Sequence, residues 1–218
     1  MTKNKYIDRL IERLKEIYPF PECGLRYNGD PWRLLVMARL SAQCTDERVN
    51  STSETLFEVY KDVYSMAKAD VSDVAAMIRP CGLQNSKARD IVESSKTIVE
   101  KYGGKLPADF DDILSLAGVG RKIANLIVGD AYGRPAIVAD THCIRLSGRL
   151  GLVDPPSKNP DKVEKALKEL IPPAEQNDFC HRLVNLGRDH CNARKPDCAG
   201  CPLNDICKKV INRGNDDE

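Results

Sequence analysis

The chain has 218 residues, with 33 lysines and arginines against 32 aspartates and glutamates, for a formal net charge of +1. A hydrophobic share of 42% and a charged share of 30% describe a globular chain and exclude a disordered or fibrous one. No apolar run approaches the roughly 18 residues that cross a bilayer, and Met1–Asp8 leads straight into a charged pattern, so neither a membrane span nor a signal-peptide core is predicted. Nine cysteines in such a chain point to the reducing cytoplasm, where thiols are core residues or metal ligands, and an odd number cannot all pair as disulfides.

In chain order, Tyr6, Ile7, Leu10, Ile11, Leu14 and Ile17 recur at three- and four-residue intervals, which predicts an amphipathic helix over 3–18 ending before Pro19. Asp30 followed by Pro31 is a capping residue and a first-turn proline, opening a helix through Leu40. Asp46 is placed to cap a third helix reaching about Tyr60. Further helical stretches are expected over 72–79, 86–102, 109–116, 121–131, 141–150, 161–171 and 177–189, divided by short Gly, Pro or Asn turns. The one strand-like run, Arg134–Val138, is brief. The expected class is all-α, with no low-complexity linker.

The balanced charge hides an asymmetry. From Phe179 to Arg213 seven cations face three aspartates, and the last five residues carry three acidic groups. Such a basic segment attracts phosphate, although mixed surface charge explains it equally well.

Three constellations carry chemistry. Cys191, Cys198, Cys201 and Cys207 lie within seventeen residues, separated by six, two and five. Four thiolates joined by short loops can close around one centre, and both iron–sulfur clusters and structural zinc accept that donor set. Next, Leu116-Ala117-Gly118-Val119-Gly120-Arg121-Lys122 joins two helical patterns. Its glycines permit a tight turn with outward N–H groups at the start of the following helix, a ready anion site that reads as a helix-hairpin-helix. Lys122 falls in the first turn of that helix, where the backbone dipole favours a neutral amine able to act as a nucleophile. Asp140, eighteen residues on, precedes Thr141 and His142 and is at minimum a helix cap.

The lysine hairpin, the aspartate segment and the cysteine spacing together resemble the endonuclease III family of the helix-hairpin-helix DNA glycosylase superfamily. Leu40-Ser41-Ala42-Gln43-Cys44-Thr45-Asp46 and Gly82-Leu83-Gln84-Asn85-Ser86-Lys87-Ala88 are similar to two further family segments, so the likeness runs from the first helix to Cys207. It implies a two-lobed fold: a six-helix barrel lobe over 24–134, and a second lobe of 1–23 and 135–218 that holds a [4Fe-4S] cluster on the four cysteines. It also implies Lys122 and Asp140 as catalytic residues. Gln43 and Leu83 are implied to fill the gap left by an extruded nucleotide, and Asn85, Lys87, Gly118, Val119, Gly120, Arg121, His142, Arg194 and Lys195 to contact DNA. The implied partner is double-stranded DNA with damaged bases or abasic sites, bound by a monomer in the cytoplasm, on the nucleoid in a bacterium. Ala117, Ala139, Leu186 and Gln84 depart from residues usual in the family. A mismatch glycosylase of the same superfamily is the near alternative, but such enzymes typically lack a lysine at position 122. A non-catalytic DNA-binding protein is the distant alternative, against which the Lys122 and Asp140 pairing speaks.

Overall fold

A computed structural model describes residues 2–153 and 156–210, which include eleven α-helices and no strand. Arg213 and the acidic tail lie outside the described residues. The chain divides into two compact units: Cys23–Gly133, and a second made from Met1–Glu22 with Arg134–Glu218.

In the first unit, α2 (Pro31–Leu40) starts where Asp30 Oδ1 accepts from the N–H groups of Trp32 and Arg33. Leu34, Leu35, Val36, Met37 and Leu40 are all buried, so α2 is apolar around most of its circumference and forms the centre of this unit. Next come α3 (Asp46–Val59), α4 (Val63–Ala67), α5 (Val71–Met77) and a 3-10 turn at Arg79–Cys81, then the long α6 (Gln84–Tyr102). Thr45, one residue earlier than expected, caps α3 through its hydroxyl. Residues 63–67 carried no helical signal, yet Asp62 and Ser65 close a reciprocal capping box that starts α4. Two side-chain ties join α2 to α6: Trp32 Nε1 donates to Ser95 Oγ at 3.1 Å inside the core, and Arg39 forks onto Asp90 Oδ2 at 2.9 and 2.7 Å. The unit ends with α7 (Phe110–Leu114), α8 (Arg121–Leu126) and a π-turn continuing α8 through Ile127–Ala131.

In the second unit α1 (Lys3–Ile17) buries Tyr6, Ile7, Leu10, Ile11 and Leu14 along one stripe, each worth roughly 1.5–3 kcal/mol of transfer free energy. Around it come α9 (Thr141–Arg149), α10 (Pro160–Leu170) and α11 (Gln176–Asp189). Arg134–Val138 forms neither helix nor strand. Residues 190–210 contain no helix, and Leu203 is the one buried residue among them.

Candidate nucleic-acid interface and catalytic residues

In the first unit the hairpin joins α7 to α8. Val119 N–H donates to Leu116 O at 3.2 Å, and Arg121 packs its guanidinium 5.0 Å from the centre of the Phe110 ring. The two hairpin glycines serve different needs. Gly118 has φ +72, and a Cβ there would sit 2.6 Å from both Arg39 Nε and Asp90 Cβ, so the turn rests directly on the ion pair joining α2 and α6. Gly120 is extended, with φ −103 and ψ 175, and a Cβ on it would meet nothing. Its lack of a side chain leaves the N-terminus of α8 bare, with no capping side chain on its N–H groups. Lys122 is exposed in the next turn, and Val119 is half-buried.

Gln43 and Leu83 share an unusual feature. Both are exposed, Leu83 by 53%, and both hold left-handed backbone conformations, with φ of +54 and +50. Residues with a Cβ rarely adopt that region. Asn85 is exposed just beyond Leu83.

Lys87 departs from expectation. Its side chain is fully buried, and Nζ donates to Leu40 O, Ala42 O and Cys81 O at 2.8 Å each. All three ammonium protons are used internally, so this lysine does not reach a phosphate. Burial draws its pKa below the usual lysine value, while the three carbonyl dipoles favour the charged form. Only the structure shows this, because a lysine in the first turn after an exposed loop has the sequence appearance of a DNA contact.

In the second unit Asp140 caps α9, its Oδ1 accepting from Cys143 N–H at 2.7 Å. The aspartate therefore caps the helix with one oxygen and leaves the other without a hydrogen bond among the described residues. His142 is half-buried on the first turn, with Arg145 3.2 Å from its Nδ1. An arginine only donates, so in this contact Nδ1 is the acceptor. Gly187 gives that ring its room, since a Cβ there would lie 2.5 Å from Nδ1.

The four cysteines line one cavity, together with Arg149, His190 and Lys209. Among the described residues no three Cys, His, Asp or Glu side chains converge as a single ion requires. Four thiols on one cavity are a donor set that an iron–sulfur cluster or a structural zinc accepts. Burial pushes the Cys201 and Cys207 thiols up in pKa, and the neighbouring sulfurs push them further, so four thiolates need a compensating cationic centre. Two arginines on successive turns of α9 hold the start of this loop. Arg145 donates to Gly187 O and Cys191 O, and the buried Arg149 to Asn192 O and Ala193 O at 2.7 Å, with Cys191 Sγ at 3.5 Å. Sequence reasoning missed both; their spacing of four in a helix ahead of the cysteines is the signal that was available. Arg194 and Lys195 stand exposed between the first two cysteines. Cys143 and Cys180 are buried, and the neighbouring Cys180 thiol together with burial raises the Cys143 pKa.

Comparison with known proteins agrees with this geometry. Residues 36–173 match the model of the HhH-GPD superfamily base excision DNA repair protein. The chain is 39% identical to endonuclease III of Bacillus subtilis over 96% of its own length and 94% of that protein, and 36% identical to endonuclease III of Escherichia coli K12 over 95% and 97%. Among solved structures, a trapped covalent intermediate of endonuclease III with DNA superposes with a TM-score of 0.89 at 37% identity, covering 96% of this chain and 97% of that one. A thermostable thymine-DNA glycosylase, at 23% identity, shares the fold with a TM-score of 0.86 over 95% and 97%. The chain belongs to the HhH-GPD superfamily of base excision DNA repair proteins and, within it, to the endonuclease III family.

Proposed function

We infer that the protein is a DNA glycosylase and abasic-site lyase that removes oxidised pyrimidines from duplex DNA. The observation that carries this reading is Lys122, an exposed amine in the first turn after a hairpin whose N–H groups are uncapped, in a chain similar to an endonuclease III that has been trapped covalently on DNA.

A damaged base lies within the stack, so its nucleotide must be rotated out before chemistry. Gln43 and Leu83 occupy the vacated space, Gln43 offering hydrogen bonds to the base left without a partner. The N–H groups of the Gly118–Gly120 turn, with Arg121, Asn85, His142, Arg194 and Lys195, hold the backbone phosphates. Neutral Lys122 Nζ attacks C1′ of the deoxyribose, and the base leaves with the glycosidic electron pair and a proton. The C1′–O4′ bond then opens, O4′ taking a proton, and the Schiff base so formed acidifies C2′–H; loss of that proton expels the 3′ phosphate and breaks the strand. Asp140 takes or relays a proton and stabilises the cationic sugar through the carboxylate oxygen not used in capping. Cys191, Cys198, Cys201 and Cys207 hold a [4Fe-4S] cluster, which when bound supplies the positive iron charge that four neighbouring thiolates require. Its loop presents Arg194 and Lys195 to DNA.

Incision of duplexes bearing thymine glycol, dihydrouracil or a preformed abasic site tests the reading. Base release followed by cleavage 3′ to the lesion is expected, and binding without incision would overturn it. Asp140→Asn keeps a capping oxygen, so it folds, yet its base excision slows about a hundredfold, with a smaller loss on the abasic duplex.

A further inference from the structure

The mechanism leaves Lys87 without a role, and its position gives it one. Its three acceptors come from two loops far apart in sequence. Leu40 O belongs to the last turn of α2, where helix carbonyls lack intrahelical partners; Ala42 O lies in the peptide joining Ala42 to Gln43; Cys81 O lies in the peptide joining Cys81 to Gly82, just ahead of Leu83. A peptide group is planar, so fixing the direction of Ala42 O also fixes the N–H of Gln43 and with it the start of that residue's left-handed turn. The same holds one peptide upstream of Leu83. Lys87 N–H in turn donates to Leu83 O at 3.0 Å, which closes the first turn of α6 on the left-handed residue.

Left-handed Gln and Leu are disfavoured and persist only where the surroundings over-determine them. A buried ammonium with three donors and three carbonyl acceptors does so for both loops at once. We propose that Lys87 is a positioning residue that locks the Gln43 and Leu83 loops in register, so that both side chains stand ready to enter the duplex together. This rests on the reading of Gln43 and Leu83 as the residues that fill the gap.

The test is a ratio measured within one preparation: the rate on a duplex with a paired dihydrouracil divided by the rate on the same duplex with a preformed abasic site, where extrusion is easier. Unfolded protein cancels in that ratio. Lys87→Met should lower it about tenfold, and 2-aminopurine opposite the lesion should lose most of the fluorescence rise that accompanies insertion. In a Gln43→Ala, Leu83→Ala background the same Lys87 substitution should change the ratio less than twofold, because residues that act through one another are not additive. If Lys87→Met is insoluble, Lys87→Gln, with two donors on a shorter chain, carries the comparison with the same expected direction. A tenfold effect of the Lys87 substitution that survives in the double-alanine background, or an unchanged ratio in the parent, overturns the proposal. An unchanged ratio in the double-alanine protein alone would instead overturn the gap-filling reading.

Discussion

The α2–α6 region and the loop over 190–210 both carry residues assigned to DNA, and they are held in opposite ways. Around α2 and α6 the exposed residues Gln43, Leu83 and the hairpin at Gly118 sit on a buried scaffold in which Trp32–Ser95, Arg39–Asp90 and the Lys87 ammonium fix the backbone. The 190–210 loop has no helix and a single buried side chain, Leu203. It is fixed by arginine donors from α9 and by Arg13, which donates to Pro202 O at 2.6 Å and to Asp205 at 3.0 Å. So little apolar burial offsets only a small part of the ordering entropy of the segment, and we propose that a group bound by its four cysteines supplies the rest. The first surface is thus built by core packing and buried polar ties within the chain, and the second by hydrogen bonds together with the proposed cofactor.

Removing the cluster should break this symmetry most strongly. Cys198→Ser, or iron chelation, should bleach a brown protein containing about four irons per chain and abolish amide protection across 190–210, while protection in α2 and α6 persists. Stoichiometric zinc with no visible absorbance in protein prepared without oxygen would reject the cluster. Arg149→Met should weaken the same loop while leaving all four cysteines in place. It removes the donors to Asn192 O and Ala193 O, whose residues are exposed to water, and the contact with Cys191 Sγ, a loss of about 1–2 kcal/mol, read as a lower thermal midpoint and faster loss of iron colour.

On the packed side, Gly118→Ala should cost about 1–3 kcal/mol, since it meets both a left-handed backbone and the Arg39–Asp90 pair. Gly120→Ala is the sharpest contrast and the smallest effect. An extended residue facing open space should lose less than about 0.5 kcal/mol of stability; any loss of duplex affinity measured by titration then reports a phosphate approaching the start of α8. Equal stability losses at the two glycines would contradict the distinct roles assigned to them.

Much of this was legible in the sequence, because it depends on local chemistry. The α1 stripe, the Asp30–Pro31 start and the Asp140 cap are short-range signals, and each element forms where its signal lies. The five-residue α4 escaped because so short a helix shows no periodicity, and its capping box is its only mark. Arg134–Val138 has strand composition but no partner strand. Lys87 was misread for a deeper reason. Whether an ammonium meets phosphate or three carbonyls depends on where Leu40, Ala42 and Cys81 end up, and those contacts span up to 47 residues. Arg145 and Arg149 carry only their spacing of four as a sequence mark, since their acceptors, the backbone oxygens from Gly187 to Ala193, can belong to any residue type.

Everything proposed about the reaction turns on Lys122 as the nucleophile. Borohydride added during reaction with a duplex bearing one abasic site should reduce the Schiff base to a stable amine, and peptide mass mapping of the adduct should place the sugar on Lys122. Lys122→Gln should bind the duplex nearly as well as the parent while showing neither adduct nor incision. An adduct on another residue, or one that persists in Lys122→Gln, would contradict the account.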